Sequence, residues 1–545
     1  MRNYNNYADM ITFTRASSGT ALAKISGGGN LLSGDSSTFT SGFGDWVFYT
    51  GGTATVSNGA FTYSGSGVTT YQIANFLTVG KAYKITYDFT RTVDTYGLMV
   101  GDRLSTATQV RTPLGNGQLS GTITGYIICG FSSAVIGVYA NAGGSGTIDN
   151  VIIEEVLYDQ PDGTLQIFNH PTNKPRVEYD YQGNRLGLLV EEARTNTIGD
   201  SNVFLADAGT AVSSSAEIAP DGTTTATEIL TSGTSAHRVR RTVGTVTATG
   251  VAYAYSVFVK SDEVSYIQLL NGGDANYFAN FDLVNETVGS TGSATTGTIT
   301  KYPNGWYRIT ALYDGTGNYN VNGYIYAAPS ASATYGQVAN TPGLTFHLFG
   351  AQNEAGSFPT SYIPTAGSTV TRSADVASIG VGAFGYNKTA GTVLVKFETP
   401  DLVQANALDI GSLDGANRIF VRNGQAFMWT DSATNVDITF ATQTKGQKIG
   451  FAFTANDAVV SADGIIQGAD TSVILPTSID RLAIGSNSTT LSSQILNGHI
   501  SSIAYYPRRL TDAQIKALTS PPETPTLSLA FDDSSTSYLE TSIHG

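Results

Sequence analysis

Residues Ala82–Thr90 read AYKITYDFT, in which Tyr83, Ile85, Tyr87 and Phe89 alternate with Lys84, Thr86, Asp88 and Thr90. An extended chain sends successive side chains to opposite faces, so a period of two marks a strand with one buried face. The same alternation recurs in TIDNVIIEEV ending at Val156, YAYSVFVKS around Ser256, GWYRITALY ending at Tyr313 and GTVLVKFET ending at Thr399. Turn pairs separate such runs: Asn58-Gly59, Asp414-Gly415, Asn423-Gly424 and Asp463-Gly464. One helix is expected, Thr511–Leu518, with Thr511 as N-cap and Gln514 at the capping-box position. The pattern predicts an all-β chain of tandem antiparallel β-sandwiches.

Composition agrees. The chain has 545 residues, enough for about three or four domains of roughly 100 to 200 residues. Its 61 Gly and 29 Tyr against only 29 Lys and Arg favour short strands and tight turns over helices. A net charge of -14 without basic clusters argues against nucleic acid as a partner. The single cysteine, Cys129, excludes an intrachain disulfide and sits among Ile127, Ile128 and Phe131 as a core residue would. There is neither a signal-peptide-like apolar run at Met1–Ser18 nor an eighteen-residue apolar stretch, so synthesis in a cytosol without membrane insertion is expected.

Two blocks share a plan. One runs from Asn30-Leu31-Leu32 to TIDNVIIEEV, the other from Asn196-Thr197-Ile198 to LTFHLFGAQNE at Leu344–Glu354. Each opens on an Asn, passes through a Tyr-rich strand and closes on a strand carrying acids, which reads as two related sandwiches. A third block, about 377–520, ends LNGHISSIAYYPRRLTDAQIKALTS. Pro521, Pro522 and Pro525 then precede a tail, 521–545, expected to be a docked strand or a flexible tip.

GDSSTFTSGFGDW within Leu32–Trp46, TVGKAYKITYDF (Thr78–Phe89) and Ile148-Asp149-Asn150-Val151 resemble jelly-roll carbohydrate-binding modules. Ser36 and Ser37 replace the Phe-Glu common there, which weakens the transfer of an N-terminal calcium ligand from that family. The resemblance leaves Asp149 as the calcium candidate. ITFTRASSGT (Ile11–Thr20), PRVEYD (Pro175–Asp180), GLLVEEARTN (Gly187–Asn196) and AQNEAGSFPTSYIPTAGSTVTRSAD (Ala351–Asp375) together resemble fibre, spike or tail proteins of tailed bacteriophages. In that family the first two segments lie close together. The wide separation here implies a jelly roll, 26–157, inserted into a discontinuous N-terminal anchoring unit of 1–25 and 158–198. A second jelly roll would occupy 199–376. SADGIIQGAD, DRLAIGS and the closing block give 377–520 a resemblance to concanavalin-A-like, laminin-G-like sandwiches. These resemblances imply a virion protein, made in the host cytoplasm and exposed on the released particle. Its partners would be other virion proteins and host-surface polysaccharide or glycoconjugate, and it would be a homo-oligomer, trimeric by likeness to phage fibres.

GLLVEEARTN raises the question of catalysis. If extended, it points Glu191 and Glu192 to opposite faces, so they cannot converge on one bond. The expected roles are packing by Leu188, Leu189 and Val190, pairing of Glu191 or Glu192 with Arg194, and a domain start at Asn196. Glu178 and Asp180 share a strand face about 6.5 to 7 Å apart, inside the glycosidase range, yet an amphipathic strand with Val177, Tyr179 and Tyr181 opposite makes them a solvated edge. No Gly-x-Ser-x-Gly elbow, His-x-x-x-His pair or phosphate-cradling loop occurs. The reading is a non-enzymatic adhesin with no catalytic residues. A polysaccharide depolymerase using Glu178 and Asp180, or a purely structural collar or decoration protein, is the alternative. Sugar binding needs flat aromatic faces beside amide or carboxylate groups. The candidates are Trp429 with Asp431, then Trp46, whose place at the early Trp of the carbohydrate-binding modules it resembles favours core over platform, and Tyr71, Tyr96 and Tyr277. Trp306, in NGWYRIT, is expected to pack under the second sandwich.

Overall fold

AYKITYDFT forms the strand Ala82–Arg91, with Tyr83, Ile85, Tyr87 and Phe89 buried. The computed structural model describes residues 11–521 except 51–52, 65–69, 75–76, 93–97, 103–118, 131–133, 139–144, 233–236, 243–249, 262, 272–273, 316–321, 340, 401–404 and 444–445. The predicted C-terminal tail lies almost wholly outside the described residues.

The two blocks have one topology. In the first, Val47–Thr50, Thr70–Ala74, Ala134–Val138 and Leu98–Asp102 pair in that order, facing Thr53–Ser57, Ala60–Ser64, Ser145–Tyr158, Ala82–Arg91 and Ser120–Ile128. In the second, Leu205–Ala206, Arg238–Thr242, Asn322–Ala327 and Tyr266–Asn271 face Thr210–Ser214, Thr227–Thr231, Thr345–Ala355, Tyr253–Lys260 and Tyr307–Tyr313. The second block adds Phe278–Asp282, Thr287–Thr291 and Thr295–Lys301 at the sheet edges. This is jelly-roll strand order twice over.

The asparagines that open the blocks also match. Asn30 Oδ1 accepts from the Leu32 amide (3.1 Å) and from the Ile153 amide on the closing strand (2.9 Å). Asn196 Oδ1 accepts from the Ile198 amide (3.1 Å) and the Asn353 amide (3.1 Å). Their Nδ2 groups donate to the carbonyls of Val151 (3.4 Å) and Ala351 (3.3 Å), two residues earlier on each closing strand. Each side chain thus joins the first turn of its block to the last strand, satisfying amides that the ladder leaves open.

The third sandwich packs two seven-stranded antiparallel sheets around Val393, Val395, Ile419, Met428, Phe451 and their neighbours. Three of its strands come from the chain's beginning. Thr12–Thr14 pairs with Val376–Gly380 on one sheet. On the other, Val177–Tyr179 pairs with Arg185–Val190, which pairs with Gly498–Tyr506. Phe13 is buried in that core and Leu188 packs against it. Gly187 permits the close approach there: its φ is 134°, and a Cβ would lie 2.2 Å from the Ile500 carbonyl oxygen. Segments 1–25 and 158–198 therefore divide between sandwiches, since Gly19–Asn30 and Thr164–His170 pair with each other and extend the first jelly roll.

Helix Asp512–Thr519 forms as expected, its Thr511 and Gln514 making both capping-box bonds and Ile515 buried against Leu394, Ala452 and Val459. Cys129 is buried in the first core. Trp306 is fully buried between the second sandwich and Leu22 and Ile167 of the strand pair, and donates to the Ile218 carbonyl (2.9 Å).

Candidate glycan-contact face

The segments that carry the phage resemblance meet in one buried charged junction. Arg15 of ITFTRAS pairs with Asp375 (3.0 Å), and Arg176 of PRVEYD pairs with both Asp375 and Glu191 (2.9 Å to the latter). Arg372 pairs with Glu191, which also accepts from the Ser361 amide and hydroxyl (2.7 Å each). Burial would raise the Glu191 carboxyl, but Arg372, Arg176 and the Ser361 donors hold it down at about 2. Burial and neighbouring Arg176 lower Arg15 to about 10. Glu192 faces the other way and takes Arg194 (2.6 Å), so of the two expected partners it is Glu192 that pairs. Every acid here is committed to a cation or an amide.

The expectation that Glu178 lies on a solvated edge is corrected. The strand ends at Tyr179. Glu178 is largely buried, accepting from the Leu22 amide (3.1 Å) and bonded to His499 Nε2 (2.5 Å), whose Nδ1 bonds Glu398 (2.8 Å). Burial opposes the imidazolium, yet the two carboxylates raise His499 to about 9. Asp180 instead closes a turn, accepting from the Gln182 and Asn184 amides (2.9 Å each). The two acids do not form a dyad.

An arrangement suited to sugar occurs on the outer face of the third sandwich. A two-residue connection at Asn423-Gly424 sets Arg422 opposite Gln425, Phe420 opposite Phe427 and Arg418 opposite Trp429. Ile419, Val421, Ala426 and Met428 enter the core, so the alternate residues share the outer face. Phe420 and Phe427 stack (5.0 Å, 24°), and the half-buried Trp429 stands edge-on to both (6.4 and 5.6 Å). The Arg418 guanidinium lies 4.8 Å from the Phe420 centroid and 5.3 Å from that of Trp429, and pairs with buried Asp409 (2.5 Å). Burial pushes the Asp409 carboxyl up. Beside Trp429, positive φ at Asp431 (50°) and Ser432 (66°) makes a tight turn that brings exposed Asp431 to Asn417 Nδ2 (3.3 Å). Asp409 Oδ1 and Asn417 Oδ1 are buried without hydrogen-bond partners among the described residues. Phe420, Phe427, Arg418 and Asn417 are themselves buried, so Trp429 and Asp431 are the members of this set that reach solvent: a half-buried indole held rigid by its neighbours, with an exposed carboxylate two residues on. Alternation outward from the Asn423-Gly424 turn was the sequence signal for Arg418, Phe420 and Phe427.

The other candidates are placed differently. Trp46 is buried among Phe39 and Phe61 and donates to the Ser36 carbonyl (2.8 Å), taking the core place favoured for it rather than a sugar-facing one, and Tyr277 is buried against Tyr313, which corrects its surface assignment. Tyr71 lies in the strand Thr70–Ala74, its backbone opposite Phe48. Tyr96 lies outside the described residues. Asp149 precedes a bulge at Asn150, whose amide it accepts (2.7 Å). Opposite it, Asp88 accepts from Asn150 Nδ2 (2.8 Å) and the Thr122 hydroxyl (2.5 Å). Among the described residues no three His, Cys, Asp or Glu side chains gather as a group that could hold a metal ion.

Strand order and core define a class: an all-β protein of tandem antiparallel sandwiches, two jelly rolls followed by a concanavalin-A-like sandwich. No family model matches the chain, and no curated protein matches it. Among solved structures it is similar to the CBM40 of the Ruminococcus gnavus IT-sialidase, at 16% identity over 26% of this chain and 87% of that one, TM-score 0.22. The tandem CBM22-1-CBM22-2 of Paenibacillus barcinonensis Xyn10C matches at 13% identity over 62% and 99%, TM-score 0.20. Mouse laminin alpha1 domains LG4-5 match at 11% identity over 47% and 82%, TM-score 0.19. Likenesses of this size carry no argument about what this chain binds.

Proposed function

We propose that the chain is a non-catalytic glycan-binding adhesin of a tailed-phage virion, a fibre, spike or similar appendage, that contacts sugar through the Trp429 face. The observation that carries the binding reading is the braced, half-open indole beside Asn417 and Asp431. The virion assignment rests on the resemblance of the four segments that meet at the Arg176 junction, and such a junction suits an appendage that must stay rigid under load. Linked copies would turn weak sugar contacts into firm attachment.

A glycan array probed with the full chain tests this, with Trp429→Ala as the variant. Sugar binding that falls at least tenfold in the variant, with no reducing ends released from bound polysaccharide, is the expected result. Release of reducing ends would turn the reading towards a depolymerase. A silent array together with failure to compete for host cells would make the chain a purely structural virion component.

A further inference from the structure

The second jelly roll carries another aromatic and cationic face, on the sheet containing Arg238–Thr242, Asn322–Ala327 and Tyr266–Asn271. Val239 and Ile325 lie in the core, so Arg238, Arg240, Tyr324 and Tyr326 occupy the outer side. Cross-strand register sets Arg240 beside Tyr324 and Leu270, and Arg238 beside Tyr326 and Gln268. The two tyrosine rings are 6.2 Å apart at 67°. Arg238 lies 5.3 Å over the Tyr324 ring, donates to the Tyr326 hydroxyl (3.4 Å) and is paired with Asp207 (3.3 Å). At the far side of the sheet, the carbonyls of Thr334 and Ala333 accept from Gln268 (3.0 Å) and Asn280 (2.7 Å), and Tyr335 packs on Phe278. A loop therefore covers that half of the face, while Arg240 and Tyr324 remain half-exposed.

The two arginines differ in one decisive respect. The Nε of each is buried without a hydrogen bond, but Arg238 has a carboxylate within reach in Asp207 (3.3 Å), whereas Arg240 has no acidic partner among the described residues. A guanidinium nitrogen taken out of water without an acceptor is costly, and the group whose geometry matches its fork is a carboxylate. In a chain of net charge -14, an unpaired cation across the strand pair from a half-exposed tyrosine selects for an anion with an apolar face.

We propose that this face binds an acidic sugar, with its carboxylate on Arg240 and its ring against Tyr324. The proposal rests on the glycan-binding reading above and adds a second site with a stated charge preference. Isothermal titration of the full chain with oligogalacturonate, hyaluronan oligosaccharide and sialyllactose, against neutral galacto-oligosaccharide, tests it. At least one acidic ligand should bind in preference to the neutral one, more weakly as salt rises. Arg240→Gln should weaken that binding about tenfold, Tyr324→Ala comparably, and Arg240→Lys less, because a point charge remains. Circular dichroism and thermal melting establish that each variant is folded. The site is overturned if no acidic ligand binds, if the neutral sugar binds equally well, or if Arg240→Gln and Tyr324→Ala leave affinity unchanged. Binding lost in Trp429→Ala but retained in Arg240→Gln sinks this site and leaves the adhesin reading standing, whereas a silent array removes both.

Discussion

Glu191 shows how much one buried side chain can organise. It sits with Asp375 among three guanidiniums, those of Arg15, Arg176 and Arg372. Replacing such a system by apolar groups could be neutral, but removing one partner leaves a buried charge without its counter-ion. Glu191→Gln is therefore expected to cost about 3 to 5 kcal/mol, measured by urea unfolding at neutral pH. The carboxyl titrates at about 2 when folded, below an unfolded value of about 4.3. Its stabilisation is thus present above about pH 4.3 and lost as pH falls towards 2, so the gap between parent and variant should close over that range. His499 runs the other way. Its folded value of about 9 lies above an unfolded value of about 6.5, so the Glu178–His499–Glu398 link stabilises fully below pH 6.5 and fades as pH rises through 9. An imidazole titration followed by NMR should give an apparent pKa well above 7, and a value near 6 would refute the buried ion pair. Sequence alone could not reveal this link: Glu178 and His499 are 321 residues apart, and period-two alternation around Glu178 makes it look solvated.

At the level of elements, what was legible is what local periodicity encodes. AYKITYDFT forms its strand because the alternation and the buried face coincide, and the helix at Asp512–Thr519 starts where Thr511 and Gln514 say it should. The Asn-led openings were visible as a shared pattern, but the reason for asparagine was not, because its partners sit on closing strands 123 and 157 residues later. Only an amide both accepts from two backbone N–H groups and donates to a carbonyl in this position. Asn196→Ala should therefore cost about 3 kcal/mol, since it strands two buried amides. Asn196→Asp keeps the acceptors and should fall between, as read by thermal melts. Asn30→Ala should act likewise through the first jelly roll. Equal stability of Asn196→Ala and parent would mean the ladder closes without it. The same limit hid Tyr277: a surface-like context of Gly, Asn and Asp does not disclose which ring the opposing sheet covers.

For the whole molecule, the resemblance segments marked a unit whose place in the fold lay beyond sequence pattern. Their spacing suggested one anchoring body, but Thr12–Thr14 forms the edge of one sheet, and Val177–Tyr179 with Arg185–Val190 the outer two strands of the other, in the sandwich formed mainly by 377–520. Pairing between strands so far apart leaves no local periodic trace. The consequence is that beginning and end fold as one. Residues 370–520 expressed alone would lack Phe13 and Leu188 and expose ladder groups along Val376–Gly380 and Gly498–Tyr506. Open edges of that length pair with other chains. The fragment is expected to aggregate or to unfold without a cooperative transition. Co-expression with residues 1–198 should restore a soluble complex, because all three missing strands return and Arg15, Arg176 and Glu191 again meet Arg372 and Asp375 of the fragment. Size-exclusion chromatography and calorimetry of both preparations decide the matter. A monomeric 370–520 fragment that melts cooperatively near the parent temperature would show that the N-terminal strands decorate a complete sandwich, and the junction would then have to owe its charged residues to something other than closing the fold.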